Sequence, residues 1–185
     1  RDLASYMMKT IRETEHEHFP NLEICRNMKE AMCYVAGNFE QEMERASTST
    51  AVEQVWELPD GNLVKINSQR FRVPEVMFDP SIIGSESLGI SEMIYQSIMK
   101  CDIDTRRDLF RSIILVGGNT MFKGLAERLQ CEIQQLAPAS VSVKVCSDSN
   151  NKYYSWSGAS IAVHSFPDHW ILKGEYEEKG SRIVH

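Results

Sequence analysis

Residues 113–121 of the chain read Ile-Ile-Leu-Val-Gly-Gly-Asn-Thr-Met, an apolar run followed by two adjacent glycines. The apolar run is typical of a buried strand. The apolar residues after it recur at helical spacing and predict a helix over residues 121–137. Because glycine has no Cβ, Gly117 and Gly118 allow a sharp turn and let backbone N–H groups approach an anion. The pattern fits either a nucleotide phosphate site or an ordinary tight turn of an α/β fold, and the glycines alone do not separate the two.

The rest of the chain mixes helix and strand patterns, which makes the predicted fold class α/β. Apolar residues at helical spacing predict helices over residues 5–13, 91–100, 106–111, 155–164 and 170–176. One apolar stripe covers residues 22–39 and predicts a further helix. Small residues at Gly158 and Ala159 lead us to expect that the helix over residues 155–164 packs closely against a sheet.

Two regions carry strand patterns. Pro59-Asp60-Gly61-Asn62 separates two short apolar runs and predicts a hairpin of residues 55–58 and 63–66. Valines at alternate positions predict a half-buried strand over residues 141–145. Residues 70–80, with a proline near the middle and another at the end, are expected to be extended.

Composition excludes several classes of function. The chain has 185 residues, of which 42% are hydrophobic and 25% charged, and its formal net charge of −6 argues against general nucleic-acid binding. No apolar run approaches the length of a membrane span, so we expect no membrane insertion. The five cysteines are scattered without a CxxC pair, which favours reduced thiols over disulfides or a zinc site. His16 and His18 lie in a polar stretch that we interpret as a solvated loop rather than a metal site.

Strings along the whole chain resemble the C-terminal half of actin. The strings that carry the resemblance include Cys33-Tyr34-Val35-Ala36, Glu57-Leu58-Pro59-Asp60-Gly61, Ser97-Ile98-Met99-Lys100-Cys101-Asp102, residues 112–124, residues 152–160 and residues 170–176. The chain is therefore identified as a member of the family of actins and actin-related proteins. The resemblance implies the two-lobed ATPase fold that actin shares with Hsp70 and sugar kinases. Because the first residue is not Met and only the C-terminal half of actin is matched, we expect a fragment.

The resemblance also implies a division of the chain. Residues 1–85 resemble the outer subdomain 4 of actin, residues 86–153 resemble the inner, nucleotide-bearing subdomain 3, and residues 154–185 resemble the segment that returns to subdomain 1 in the other lobe. Without the other lobe, we expect that last segment to expose apolar surface and the isolated chain to be marginally stable.

A nucleotide site is implied by the same resemblance, with ATP or ADP as the ligand and a Mg or Ca ion held mainly by the missing half. The residues that match nucleotide contacts of the family are Arg26, Lys29, Glu30, Gly117, Gly118, Asn119, Met121, Phe122 and Lys152. A carboxylate suits sugar hydroxyls and an ammonium group suits an anion. Asn119 replaces a threonine of actin, Phe122 a tyrosine and Lys123 a proline. No catalytic residue is expected in this chain, so the most we expect is a slow, assembly-linked ATPase in the full-length protein.

Partner surfaces follow from the resemblance as well. The residues expected to contact actin-like protomers or actin-binding proteins are Pro80, Ile82 and Ile83 in a hydrophobic plug loop, with Asp102, Asp104, Ser157, Ile161 and His169 elsewhere. Ser157 and His169 are polar where actin is apolar, which predicts a different set of partners.

Two classes of function remain open at this point. The first is a cytoplasmic, cytoskeletal actin that forms or caps filaments. The second is an actin-related protein that acts as a fixed subunit of a dynein-associated, nucleation or chromatin-remodelling complex, in which case it could also be nuclear. A small-molecule kinase of the same superfold is a third class, which the many actin-type strings disfavour.

Overall fold

The structure is a computed structural model, and it describes residues 2–14, 20–166 and 170–184. The α-helices within these ranges are α1 (Asp2–Thr14), α2 (Leu22–Met32), α3 (Phe39–Thr48), α4 (Gln69–Glu75), α5 (Ile90–Met99), α6 (Ile103–Arg111), α7 (Leu125–Leu136), α8 (Tyr154–Ser165) and α9 (Lys173–Lys179). The strands are β1 (Gln54–Glu57), β2 (Leu63–Ile66), β3 (Ile113–Ile114) and β4 (Val145–Cys146). This mixture confirms the predicted combination of helices and strands. None of the helices in the described part of the chain has the length and apolar character that crossing a bilayer requires.

Helices α1 and α2 pack against each other and against α4. Met7 and Ile11 of α1 are fully buried, and the predicted helix over residues 5–13 is confirmed. Asn21 caps α2, because its side chain accepts a hydrogen bond from the backbone N–H of Ile24 at 2.9 Å.

The single helix predicted over residues 22–39 is wrong, because α2 ends at Met32 and a new helix starts after Asn38. The intervening backbone finds partners elsewhere in the fold. The N–H of Tyr34 donates to the carbonyl of Arg70 at 3.0 Å, and that of Val35 donates to the carbonyl of Lys123 at 2.8 Å. The first bond holds the end of α2 against α4, and the second holds it against the segment that contains the glycines.

The predicted hairpin is confirmed. Strands β1 and β2 pair antiparallel with Gln54 opposite Ile66, and Gly61 in the turn has a φ of +83°. Val64 and Ile66 of β2 are fully buried, so one face of the hairpin packs against the core.

The extended conformation expected for residues 70–80 is wrong, because Gln69–Glu75 forms α4 and residues 76–78 continue as hydrogen-bonded turns. Pro74 lies inside this helix and has no N–H to donate to the carbonyl of Arg70 four residues earlier. That carbonyl instead accepts the hydrogen bond from Tyr34, so the proline does not leave it unpaired. Phe71 and Val73 of α4 are fully buried, and this burial favours the helix over the extended form.

Around the glycines the strands are shorter than predicted. β3 and β4 pair parallel over two residues each, with Ile113 opposite Val145. Leu115 is buried, but Ile114 is 61% exposed and Val116 is 42% exposed, so the expectation of a buried strand is wrong for these two residues. Helix α7 covers one face of this small sheet and begins at Leu125, after a 3-10 turn at Gly118–Met121, rather than at residue 121.

The C-terminal segment differs most from its prediction. Helix α8 confirms the predicted helix, but Trp156 is 75% exposed and Ile161 is 66% exposed, so α8 does not pack closely against a sheet within the described residues. Residues 170–172 precede α9 and are not helical. The exposed apolar side chains of this segment are Trp156, Ile161, Val163, Phe166, Trp170, Ile171, Leu172, Tyr176 and Val184.

Candidate functional site

A buried lysine connects α2 to the turn that contains the glycines. The Nζ atom of Lys29 donates to Oδ1 of Asn119 at 3.0 Å, although the two residues are 90 positions apart in the chain. Lys29 is only 8% exposed, and this burial lowers the pKa of its ammonium group, while the nearby Glu30 carboxylate acts in the opposite direction. The ammonium group also lies 5.7 Å from the centre of the Phe122 ring, within the range of a cation–π contact.

The turn that contains the glycines, residues 117–121, is called the glycine turn below. It bends at Gly117, where φ is +107°, a value that favours glycine. The N–H of Gly117 donates to the carbonyl of Asn151 at 3.0 Å, so this amide already has a partner. The first hydrogen bond within the turn runs from the N–H of Thr120 to the carbonyl of Gly117 at 3.2 Å. The N–H groups of Gly118 and Asn119 precede that bond, and they are the donors that the turn can offer to an anion.

Two neighbouring cavities open on this turn. The larger, of about 470 Å³, is lined by Ala4, Leu22, Glu23, Arg26, Lys29, Glu30, Gly118 and Asn119. The smaller, of about 210 Å³, is lined by Lys29, Glu30, Gly118, Met121, Phe122 and Lys152. Because the two share Lys29, Glu30 and Gly118, they form one continuous surface that combines cations, carboxylates and large apolar side chains. Such a surface can bind a ligand that carries both anionic and flat apolar parts.

An ion pair spans the smaller cavity. The Nζ atom of Lys152 lies 3.8 Å from Oε2 of Glu30, and both side chains are about half exposed, at 49% and 50%. A pair this exposed contributes little to stability. Both side chains are therefore free to exchange this contact for contacts with a ligand.

The cavities bring together all the predicted nucleotide contacts except Gly117, which lies just behind the lining and anchors the turn. Sequence reasoning missed Asn151, which is fully buried beside Lys152 and accepts the hydrogen bond from Gly117. The run Ser147-Asp148-Ser149-Asn150-Asn151 was the available signal, because Asp, Ser and Asn favour turns closed by side chains.

The predicted partner residues are distributed over several surfaces. Pro80–Ile83 form a 3-10 turn in which Ile83 is 40% exposed, whereas Ile82 packs against the core. Asp102 and Asp104 are exposed at the start of α6. On α8, Ser157 is half-buried and Ile161 is exposed. His169, like His16 and His18, lies outside the described residues.

Metal coordination is not evident in the described ranges, where no three His, Cys, Asp or Glu side chains are grouped so that they could hold an ion. The side chains of the two cavities could therefore contact a metal only together with other ligands.

Comparison with known families matches the chain to the family model described as actin, over residues 5–185. The match includes every lining residue of the two cavities except Ala4, and every described element from α2 onward. It confirms the family predicted from the sequence, and it implies an actin-like ATPase fold, with which the mixture of helices and strands agrees. The chain belongs to the actin family.

Proposed function

We propose that this chain forms one wall of a cleft that binds ATP or ADP in a cytoskeletal, actin-like protein that assembles with itself or with actin into filaments. The observation that carries the proposal is the hydrogen bond between Lys29 and Asn119, which fixes α2 and the glycine turn on opposite sides of one continuous cavity. In this proposal residues 1–85 form the outer subdomain and residues 86–153 the inner one, as the resemblance to actin implies.

The chemistry of the lining fits a nucleotide. The ammonium group of Lys29 has three donors, of which the contact with Asn119 uses one. The Glu30 carboxylate can accept hydrogen bonds from ribose hydroxyls, and the N–H groups of Gly118 and Asn119 can donate to phosphate oxygens. Met121 and Phe122 supply an apolar wall on which a purine base can pack.

The metal ion fits this chain less well. The described side chains offer no cluster of carboxylates or other ligands around the cavities. In our proposal a Mg or Ca ion bound with the nucleotide is held by the phosphates and by a second lobe, so no step of catalysis is assigned to residues of this chain.

The C-terminal segment supports a second lobe. Trp156, Ile161 and Leu172 are each about two-thirds exposed or more, at 75%, 66% and 66%. Burying such side chains against another surface stabilises a protein by about 1.5–3 kcal/mol each. We propose that residues 154–185 pack on the opposite lobe of the full-length protein.

A second candidate function is a fixed structural subunit of a larger complex, which binds nucleotide but does not polymerise. The half-buried Ser157 on α8 favours it, because the polar side chain makes that helix a poorer apolar docking surface.

Nucleotide binding can be tested on the full-length protein that carries this chain. Denaturing extraction followed by chromatography identifies bound nucleotide, and a fluorescent ATP analogue measures affinity. We expect Lys29→Met to weaken binding by roughly tenfold or more, because a buried charge-assisted contact is lost. The matched control is Lys9→Met on the exposed face of α1, which should bind normally. Equal affinity in the two variants, or no binding by the unsubstituted protein, would refute the proposal.

Filament formation needs a separate measurement. Sedimentation of the nucleotide-loaded protein with Mg²⁺ and salt, alone and with actin, distinguishes the two candidates. Pelleting supports the filament subunit, whereas a nucleotide-bound protein that stays in the supernatant under both conditions supports the fixed subunit.

A further inference from the structure

We infer that Asn151 is a positioning residue, which holds the glycine turn and Lys152 in the geometry that nucleotide binding requires. The inference rests on the proposed nucleotide site and deepens it, because Asn151 lies behind the cavity lining rather than in it. Polar side chains that are fully buried need partners, and the partners of Asn151 show what it holds in place.

The side chain of Asn151 closes the loop of residues 147–151. It is 0% exposed, and its Oδ1 atom accepts a hydrogen bond from the backbone N–H of Asp148 at 2.9 Å. Its Nδ2 atom donates to Oγ of Ser147 at 2.9 Å. The backbone N–H of Asn151 also donates to the carbonyl of Asp148 at 3.2 Å. Three hydrogen bonds from one residue therefore define the shape of this loop.

The backbone of Asn151 connects this loop to the glycine turn and to the smaller cavity. Its carbonyl accepts the hydrogen bond from Gly117 at 3.0 Å, at the bend of the glycine turn. The next residue, Lys152, lies within 3.8 Å of Glu30 across the smaller cavity. A shift of Asn151 would move the N–H groups of the turn and the ammonium group of Lys152 together.

The loop is anchored on its other side as well. The hydroxyl of Tyr154, the first residue of α8, donates to Oδ2 of Asp148 at 2.6 Å. The backbone N–H of Asn150 donates to Oδ1 of the same carboxylate at 3.3 Å. Asn150 itself is exposed, so its side chain provides a matched control in the same loop.

The experiment compares Asn151→Ala with Asn150→Ala in the full-length protein. We expect Asn151→Ala to speed the dissociation of a fluorescent ATP analogue by roughly three- to tenfold, the effect of losing one or two buried hydrogen bonds. Affinity for ATP should fall more than affinity for adenosine, because in the proposed site the displaced N–H groups donate to the phosphates. Amide hydrogen exchange should become faster in peptides that cover residues 113–122. Asn150→Ala should match the unsubstituted protein in all three measurements.

Other outcomes overturn the inference. If Asn151→Ala behaves like Asn150→Ala, or if it weakens ATP and adenosine equally, Asn151 has only a structural role. If Asn151→Ala does not fold, Ser147→Ala replaces it, because this substitution removes one of the two side-chain hydrogen bonds of Asn151. Ser147→Ala must then weaken ATP more than adenosine, by a smaller factor than is expected for Asn151→Ala. An unsubstituted protein that binds no nucleotide refutes the proposed function, whereas normal binding without a selective effect of Asn151 refutes this inference alone.

Discussion

Arg128 of α7 donates from Nη2 to Oε1 of Glu75 in α4 at 3.1 Å, and the two side chains are only 15% and 7% exposed. The same guanidinium group donates from Nη1 to the carbonyl of Ala36 at 2.7 Å and pairs through Nε with Glu132. It also lies 5.0 Å from the centre of the Phe78 ring. One side chain thus connects α7 with α4 and with the segment between α2 and α3.

Replacing Arg128 with methionine should destabilise the fold strongly. The substitution keeps an apolar stem but removes the donor to the buried Glu75 carboxylate and to the carbonyl of Ala36, while Glu132 keeps its hydrogen bond from Ser91. We expect a loss of about 3–5 kcal/mol in the free energy of unfolding, measured by urea denaturation. As a control, Lys173→Met breaks the exposed pair with Glu177, whose side chains are 88% and 65% exposed, and should cost at most about 0.5 kcal/mol. Similar losses in both variants would contradict this prediction.

The stability of the protein should depend on the protonation of Glu75. Burial raises the pKa of this carboxyl group above its ordinary value of 4.5, although Arg128 acts in the opposite direction. The folded protein therefore holds this proton more tightly than the unfolded chain does. The resulting contribution to stability is complete below the unfolded pKa and is lost as pH rises through the higher folded pKa.

Glu75→Gln isolates this effect because it removes the titration and keeps an oxygen that can accept from Arg128. As pH falls from about 8 toward 4.5, the unsubstituted protein should gain stability relative to the variant. Urea midpoints of both proteins across this range provide the measurement. A difference that is the same at every pH would show that Glu75 does not titrate in this way.

The sequence predicts best those elements whose formation depends on residues within the same short segment. The hairpin depends on Asp60 and Gly61 in its turn, and α1, α5 and α6 depend on apolar spacing within single segments. Helix α4 was missed because Pro74 is unfavourable locally, and it forms because the N–H of Tyr34 pairs with the carbonyl that the proline leaves unpaired. That partner lies 36 residues earlier in the chain, so no local pattern could reveal it.

The residues of the candidate site also fall into two groups, those that the sequence predicts and those whose role depends on the folded chain. Lys29, Glu30 and Lys152 were predicted because they stand in strings that resemble actin, and the structure places them around adjoining cavities. Asn151 was missed because its role depends on burial and on a hydrogen bond from Gly117, and both are properties of the folded chain.

Gly124 should not tolerate a side chain. Its φ is +83°, and a Cβ atom there would lie 2.5 Å from the carbonyl oxygen of Val35. The backbone strain alone costs about 1–3 kcal/mol, and the steric clash adds to it, so Gly124→Ala should be clearly destabilised in urea. Gly118→Ala is the control, because nothing lies within 4 Å of its Cβ position and its unfolding should change by about 0.5 kcal/mol or less. Equal urea midpoints for Gly124→Ala and Gly118→Ala would contradict the close approach of Gly124 to the backbone of Val35.

The cysteines should differ sharply in their reaction with iodoacetamide. Burial raises the pKa of Cys33 to about 12 and that of Cys25 to about 11, even though cationic side chains lie nearby. Thiolate is the reactive form, so at about pH 8 both residues should remain unmodified while the exposed Cys101 and Cys131 react.

Mass spectrometry of peptides after timed alkylation measures the difference, and a parallel reaction in urea should modify all five cysteines. Cys33 follows Lys29 by one helical turn and lies at the end of α2, so its protection also reports whether that end of the helix stays closed. Rapid alkylation of Cys33 in the folded protein would mean that the segment after α2 opens readily. The hydrogen bond from Val35 to Lys123 would then be too weak to hold the glycine turn against α2.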